Sequence, residues 1–227
     1  MKFLQEGRVD KRRVFIFVSD ASQAELYASH VPPELYNEIV VGIKGIVHQR
    51  NFISQYFPVG QYVVSLDDDV TRLNHLVVDK RVRIKDVNVF FNHAFKVLEQ
   101  TGLYIWGIYP TNSIKFMQNS KEEISTSLKF LVGYCFGFIV RREKSLMLHV
   151  EGKEDYEQSI RYYKLDNGVV RFNHICANDA STPREGGLGK DRHQMNKEAS
   201  EYLRETFPEY ITVWQRPNGK HEVRLRG

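Results

Sequence analysis

The stretch Tyr62-Val63-Val64-Ser65-Leu66-Asp67-Asp68-Asp69 joins a β-branched apolar run directly to three carboxylates. A run of that composition that stops in acid is expected to be a buried strand delivering its carboxylates to the carboxyl end, where open α/β sheets bind ligands. Alternate side chains of a strand share a face, so Asp67 and Asp69 point together and Asp68 points away if the extended geometry persists. Like charges this close repel unless a cation or a hydrogen-bond network compensates them. The expected compensator is a divalent metal carrying a phosphorylated ligand, although acidic triplets also occur in phosphotransferases, calcium loops and solvated turns.

Upstream, Val14-Phe15-Ile16-Phe17-Val18 ends at Ser19-Asp20 and is expected to be the first central parallel strand. Ser22 with Glu25 forms a capping-box pattern for the helix that follows, and Pro32-Pro33 stops it. Glu38 to Ile43 makes a second strand, with Gly42 and Gly45 at its exit. Ile46, Ile53 and Phe57 then recur at helical spacing, which leaves Arg50 and Asn51 on other faces of that helix. The opening third is therefore β-α-β-α-β, the pattern of a doubly wound, mostly parallel α/β sheet with helices on both faces.

Downstream, a helix from about Ile84 to Gln100 places Val87, Phe91, Phe95 and Leu98 on one side. Leu103 to Tyr109, Leu128 to Val132 and Tyr134 to Val140 are strand-like. Gly152-Lys153-Glu154-Asp155 introduces another helix, with Tyr156, Ile160 and Tyr163 on one stripe and Asn167-Gly168 as its stop. Val169 to Ile175 is a strand, and Cys176 to Lys190 is a polar loop. With no internal repeat and no long linker, residues 1–227 form one domain.

At 227 residues with 42% hydrophobic side chains, the chain can bury a sizeable core. No apolar stretch approaches the ~18 residues needed to cross a bilayer, so no membrane association is expected. Met1-Lys2-Phe3-Leu4 runs straight into Gln5, Glu6, Gly7 and Arg8 without a secretory hydrophobic segment, so a cytoplasmic location is expected, or the host-cell cytoplasm if the chain is viral. Cys135 and Cys176 lack the spacing of a zinc site or a disulfide framework. The net charge of +4 favours polyanions without requiring one. The cations cluster at Lys11-Arg12-Arg13, between Lys80 and Lys85, and from Arg184 to Lys197.

The Asp67 to Asp69 spacing matches the aspartate-any-aspartate motif of nucleotide-sugar transferases, in which carboxylates and a divalent ion hold a diphosphate. Mg²⁺ and Mn²⁺ suit such oxygen ligands. Glu154-Asp155 opens a helix, where free N–H groups fix a carboxylate and the helix dipole lowers its pKa. One of these acids can act as a general base toward an acceptor hydroxyl, and a single displacement of that kind inverts the anomeric carbon. Trp106, Tyr109 and Asn112 interleave aromatic and polar groups after a strand, where Trp106 is either core or part of a face that stacks on a planar ring.

A strand ending in Asp20, a helix with Arg50-Asn51, Leu66-Asp67-Asp68-Asp69-Val70 and Gly152-Lys153-Glu154-Asp155-Tyr156-Glu157 together resemble the ordered signature of the GT-A glycosyltransferase fold. The resemblance covers about Val14 to His193. Gln49-Arg50-Asn51, Gly107-Ile108-Tyr109-Pro110-Thr111-Asn112 and Glu154-Asp155-Tyr156 with Gly186-Gly187 are similar to the TET/JBP-associated glycosyltransferases. Those enzymes, among them the base J glucosyltransferases, glycosylate hydroxymethylated pyrimidines in DNA.

The resemblance implies a single GT-A-like domain, with residues 1–110 as the nucleotide-sugar-binding half and 111–227 as the acceptor half. It puts Asp20 near the nucleotide's base or ribose, and Arg50, Asn51, Asp67, Asp68 and Arg192 around a nucleoside-diphosphate sugar, expected to be a UDP-hexose. Asp67 and Asp69 hold Mn²⁺ or Mg²⁺, with His193 favoured over His174 as a further ligand. Asp155 is the candidate base, with Glu154 beside it, and Trp106, Tyr109 and Asn112 meet the acceptor. The flexible loop 177–192 folds over the donor and excludes water. The expected reaction is metal-dependent, inverting hexosyl transfer to a 5-hydroxymethylpyrimidine in DNA. Alternatives are a saccharide or glycan acceptor, and a non-catalytic metal- or DNA-binding module.

Overall fold

The computed structural model describes residues 2–179 and 192–226. The chain opens with α1 (Lys2–Glu6), β1 (Phe15–Val18), α2 (Ala21–His30), β2 (Glu38–Val41) and α3 (Ile46–Tyr56). Asp20, not Ser22, caps α2: its carboxylate accepts from the Gln23 N–H at 2.9 Å, and the Ser22 hydroxyl donates to the same oxygen at 2.6 Å. The helix stops at His30, and Val31 is already extended ahead of Pro32-Pro33. β1 and β2 pair in parallel, as the β-α-β pattern implies.

The chain continues through β3 (Tyr62–Leu66), β4 (Val70–Val77), β5 (Lys80–Arg83), α4 (Val87–Thr101) and β6 (Ile105–Tyr109). It then forms α5 (Ile114–Gln118), β7 (Ile124–Ser125), β8 (Cys135–Ile139), α6 (Glu154–Asp166), β9 (Val170–Asp179), α7 (Arg192–Thr206), β10 (Ile211–Gln215) and β11 (His221–Leu225). The apolar run Leu128 to Val132 is not a strand. It is a buried loop, and Ser159 Oγ accepts from its Leu131 N–H at 2.9 Å in place of a neighbouring strand. Residues 176–179, expected as loop, extend β9, and Cys176 and Ala177 are buried there.

The architecture is mixed α/β. A seven-stranded sheet has the order β3-β8-β6-β9-β4-β5, with β7 beside β9, and all of its pairings are antiparallel except β6 with β9. The hydrogen bonding therefore does not make the expected mostly parallel sheet. β3 leaves β1 and β2 in a two-stranded sheet of their own and runs antiparallel to β8. Hydrophobic pattern identifies a strand but not its partner, and antiparallel neighbours need no crossover helix.

One connection shows how strongly this sheet curls. In a flat sheet β3 and β4 would lie four strand spacings apart, about 19 Å. Only Asp67-Asp68-Asp69 joins them, a span of at most roughly 14 Å from Leu66 to Val70. The link is tighter still, because the Val70 N–H donates to the Asp67 carbonyl at 3.2 Å. The curl draws the strand ends together around the acidic turn.

The core explains why that frame is stable. Asp86 caps α4 by accepting from the Val89 N–H at 3.2 Å, and Gly102 closes it in left-handed geometry at φ 69°. Between these ends Val87, Phe90, Phe91, Ala94, Phe95, Val97 and Leu98 are buried, the face predicted by helical spacing. Phe90, Phe91 and Phe95 surround the fully buried Trp106, with Phe172 on the fourth side. Each such ring contributes roughly 2 kcal/mol through burial. The indole also requires Gly137 on β8, where a Cβ would sit 2.4 Å from its ring. Among the described residues no helix is long and apolar enough to cross a membrane.

Candidate active site

The acidic turn is pinned from β8, where the Tyr134 carbonyl accepts from the Asp67 N–H at 3.0 Å. Asp67 is exposed, yet neighbouring protein atoms partly desolvate its carboxyl. That partial desolvation pushes its carboxyl up to about 6; Arg50 opposes the rise, while Asp69, Glu154 and Asp68 reinforce it. These groups therefore share one electrostatic neighbourhood, although α3, the turn and α6 are far apart in sequence. Asp68 also accepts from the Tyr27 hydroxyl of α2 at 3.3 Å.

Arg50 forms the positive centre of this cluster. Its side chain is 8% exposed, its Nη2 lies 3.3 Å from Glu154 Oε1, and the same nitrogen donates to the Gly133 carbonyl at 3.1 Å. The guanidinium also sits over the Phe136 ring at 5.4 Å, and its buried Nη1 has no hydrogen-bond partner among the described residues. Gly133 permits this placement, because a Cβ there would come within 2.3 Å of Arg50 Nη2.

Glu154 and Asp155 begin α6, and Asp155 Oδ1 accepts from the adjoining Tyr156 N–H at 2.9 Å. The helix terminus does not lower the Asp155 pKa overall. Burial and the neighbouring Glu154 charge push it up to about 7, against the opposing pull of Arg50, the Tyr156 N–H and Lys153. Lys153 is itself buried, and desolvation lowers its pKa.

Glu157, which the sequence offers only as the last residue of the Gly152–Glu157 motif, braces the segment that leads to these acids. It is fully buried and accepts from the backbone N–H groups of His149 and Val150 at 2.8 and 3.1 Å, from Arg161 Nε at 2.8 Å and from the Tyr202 hydroxyl at 3.1 Å. It straps the segment before Gly152 onto α6. Its sequence signal is the Glu157–Arg161 spacing, a helical i,i+4 acid–base pair. Ser159 adds a second tie, donating to the Asp155 carbonyl at 2.7 Å.

The structure thus brings together Arg50, Asp67, Asp68, Asp69, Glu154 and Asp155. Other expected site residues are occupied elsewhere. Asp20 is held by its cap and the hydroxyls of Ser19 and Ser22, and these hydrogen bonds lower its carboxyl to about 2. Asn51 uses both ends of its amide on the Leu148 backbone, each at 2.9 Å, which is a structural clamp. Trp106, expected at the acceptor, is sealed inside the core and presents no face to a ligand. Tyr109 donates to the Phe116 carbonyl at 2.8 Å with Arg171 over its ring, and Asn112 is exposed.

His174 Nε2 lies 3.1 Å from the Ser120 carbonyl, and His193 is exposed near the start of α7. No group of three or more His, Cys, Asp or Glu side chains is poised to hold a metal among the described residues. The Arg192 side chain and residues 180–191, with Gly186-Gly187, lie outside the described residues. No protein-family model matches the chain, and no curated protein matches it significantly.

Proposed function

We propose that the chain is a GT-A-type, metal-dependent inverting glycosyltransferase that moves a hexose from a nucleoside-diphosphate sugar to a 5-hydroxymethylpyrimidine in DNA. The observation that carries this reading is the convergence of Arg50, the Asp67–Asp69 turn and Glu154–Asp155 into one charge-coupled cluster. Arg50 and Lys153 against the carboxylates of Asp67, Asp68, Asp69, Glu154 and Asp155 leave excess negative charge, which suits a divalent cation. Mg²⁺ and Mn²⁺ commonly bind through one or two carboxylates and complete their shell with water and substrate phosphates. The extended geometry that would set Asp67 and Asp69 on one face ends at Leu66, where the chain turns, so the donors proposed are two carboxylates of that turn, and no histidine is required. The cation would supply charge neutralisation for the departing diphosphate.

The residues divide the remaining work. Arg50, whose positive charge acts directly on Asp67, is suited to balancing a diphosphate held at the acidic turn. Glu154 is engaged by Arg50, which leaves Asp155 as the base. Its raised pKa places it close to neutral pH, where a general base is most effective. Ionised Asp155 takes the proton of the acceptor hydroxyl as that oxygen bonds to the anomeric carbon. The bond from the anomeric carbon to the phosphate oxygen breaks, its electron pair leaves with the nucleoside diphosphate, and the configuration inverts.

The core position of Trp106 favours one second reading, a saccharide or glycan acceptor, since it removes one aromatic contact for an extruded base. The same donor half would serve either acceptor. Mass spectrometry of hydroxymethylcytosine- and hydroxymethyluracil-containing DNA, incubated with a panel of sugar nucleotides and Mn²⁺, tests the choice. A gain of one hexose is expected, and it should vanish in Asp69→Ala. Donor consumption in the presence of glycans but never of modified DNA would replace DNA with a glycan, and no transfer to either would end the transferase reading.

A further inference from the structure

The C-terminal ribbon of β10 and β11 has two unlike faces. Strand alternation and the register pair Thr212 with Arg224, Val213 with Val223 and Trp214 with Glu222. Ile211, Val213, Val223 and Leu225 turn inward and pack on Ile160 of α6 and on Leu203 and Phe207 at the end of α7. Thr212, Trp214, Glu222 and Arg224 share the outward face, where Trp214 is 43% exposed and the Glu222 carboxylate is engaged by Arg216 and Lys220. Trp214 thus leaves nearly half of its surface open to solvent.

Charge singles out the same segment. Between Tyr210 and Arg226 the chain carries Arg216, Lys220, Arg224 and Arg226 against one acid, Glu222. Arg216 Nε and Lys220 Nζ share a single oxygen of that acid, at 3.0 and 3.4 Å, so the tip keeps a net positive charge. Arg226 Nε donates to Thr212 Oγ1 at 2.9 Å, which holds its guanidinium across the outward face. Arg224 and Arg226 stand two residues apart on one strand edge, roughly 6.5 Å.

The ribbon also adjoins the acid cluster. With its amide oriented to satisfy both ends, Asn196 accepts from Lys153 Nζ at 3.3 Å and donates to the His221 carbonyl at 2.5 Å. Glu222, Asp155 and Lys220 all act on the Lys153 ammonium. A polyanion lying along the ribbon would reach the start of α6, where Asp155 sits.

We propose that the outward face of the β10–β11 ribbon is the docking surface for the DNA acceptor, with Arg224, Arg226 and the ribbon tip on backbone phosphates and Trp214 stacked on a base. This assignment rests on the acceptor being DNA, as proposed above. Guanidinium groups match phosphate oxygens in paired hydrogen bonds, and an aromatic face stacks on any base. An acidic peptide would use the cations but would leave the flat face of Trp214 without a matching group.

Fluorescence anisotropy of a labelled hydroxymethylcytosine oligonucleotide on the full chain, between 50 and 200 mM salt (about the range over which phosphate contacts are lost), tests the surface. Arg224→Ser with Arg226→Ser should weaken binding about tenfold or more and lower the salt slope by about 2, near one per lost phosphate contact. Trp214→Ala should weaken single-stranded binding about tenfold. Lys80→Ser with Arg81→Ser, an equal charge loss on β5, serves as the control and should bind as wild type. Equal loss in the control, unchanged binding in the ribbon variants, or no DNA binding by the wild type overturns the proposal. Nucleotide-sugar consumption separates this test from the activity. A wild type that consumes no donor yet binds DNA through the ribbon defeats the transferase reading alone, whereas transfer to DNA with ribbon variants that bind normally defeats the docking surface alone.

Discussion

Replacing Asp67 by asparagine should stabilise the protein at alkaline pH and leave it unchanged in acid. The carboxyl's folded pKa of about 6 lies above its ordinary 3.8. A group shifted in that direction favours folding in its protonated form, so its contribution is complete below pH 3.8 and is lost as the pH rises through about 6. At pH 8 the wild type must hold an ionised carboxylate that is partly desolvated and, against the pull of Arg50, repelled by Asp69, Glu154 and Asp68, and asparagine removes that cost. The displacement from 3.8 to about 6 corresponds to roughly 3 kcal/mol. Because the carboxylate is reachable by solvent, screening reduces this to roughly 1 kcal/mol. For a chain of this size the gain in Tm is about 2–4 °C. Thermal melts of both proteins at pH 4 and pH 8 measure it, and Mn²⁺ at pH 8 should raise the wild-type Tm more than that of Asp67→Asn. Equal Tm values at pH 8, or the same gain at both pH values, would refute the account of the cluster as a charge-crowded cation site.

Asp155→Asn should reduce turnover by roughly 10² to 10⁴ while donor affinity is retained. In the wild type kcat should rise with pH through about 7 as Asp155 ionises, and that limb should be missing from the residual activity of the variant. Glu157→Gln leaves the half-buried Arg161 without its counter-charge and weakens the clamp on the His149 and Val150 N–H groups, and urea unfolding should show a loss of about 2–3 kcal/mol. Gly133→Ala drives a methyl group into the Arg50 guanidinium, so nucleotide-sugar affinity by calorimetry should fall about tenfold, the value of one charge-assisted hydrogen bond, with the fold intact. Unchanged affinity there would detach Arg50 from donor binding.

Much of the local structure was legible in the residues. The α4 stripe appears as predicted, β1 and β2 pair in parallel, and Asn167 ends α6 in left-handed geometry at φ 55°. Spacing and caps report which face of an element is buried and where it stops, because both are settled within a few residues along the chain. The acidic turn and Glu154–Asp155 were likewise visible as local clusters of charge. The partner of β3, the enclosure of Trp106 and the clamp around Glu157 were not, since each depends on groups distant in sequence. The Asp155 pKa makes the same point: the helix terminus that would lower it is local, but the burial and the charges that outweigh it arrive with the fold. Residue pattern alone established the elements and the acids they carry. Folding decided that a curled sheet would gather those acids around Arg50, because charge coupling and desolvation depend on distance in space and not on position along the chain.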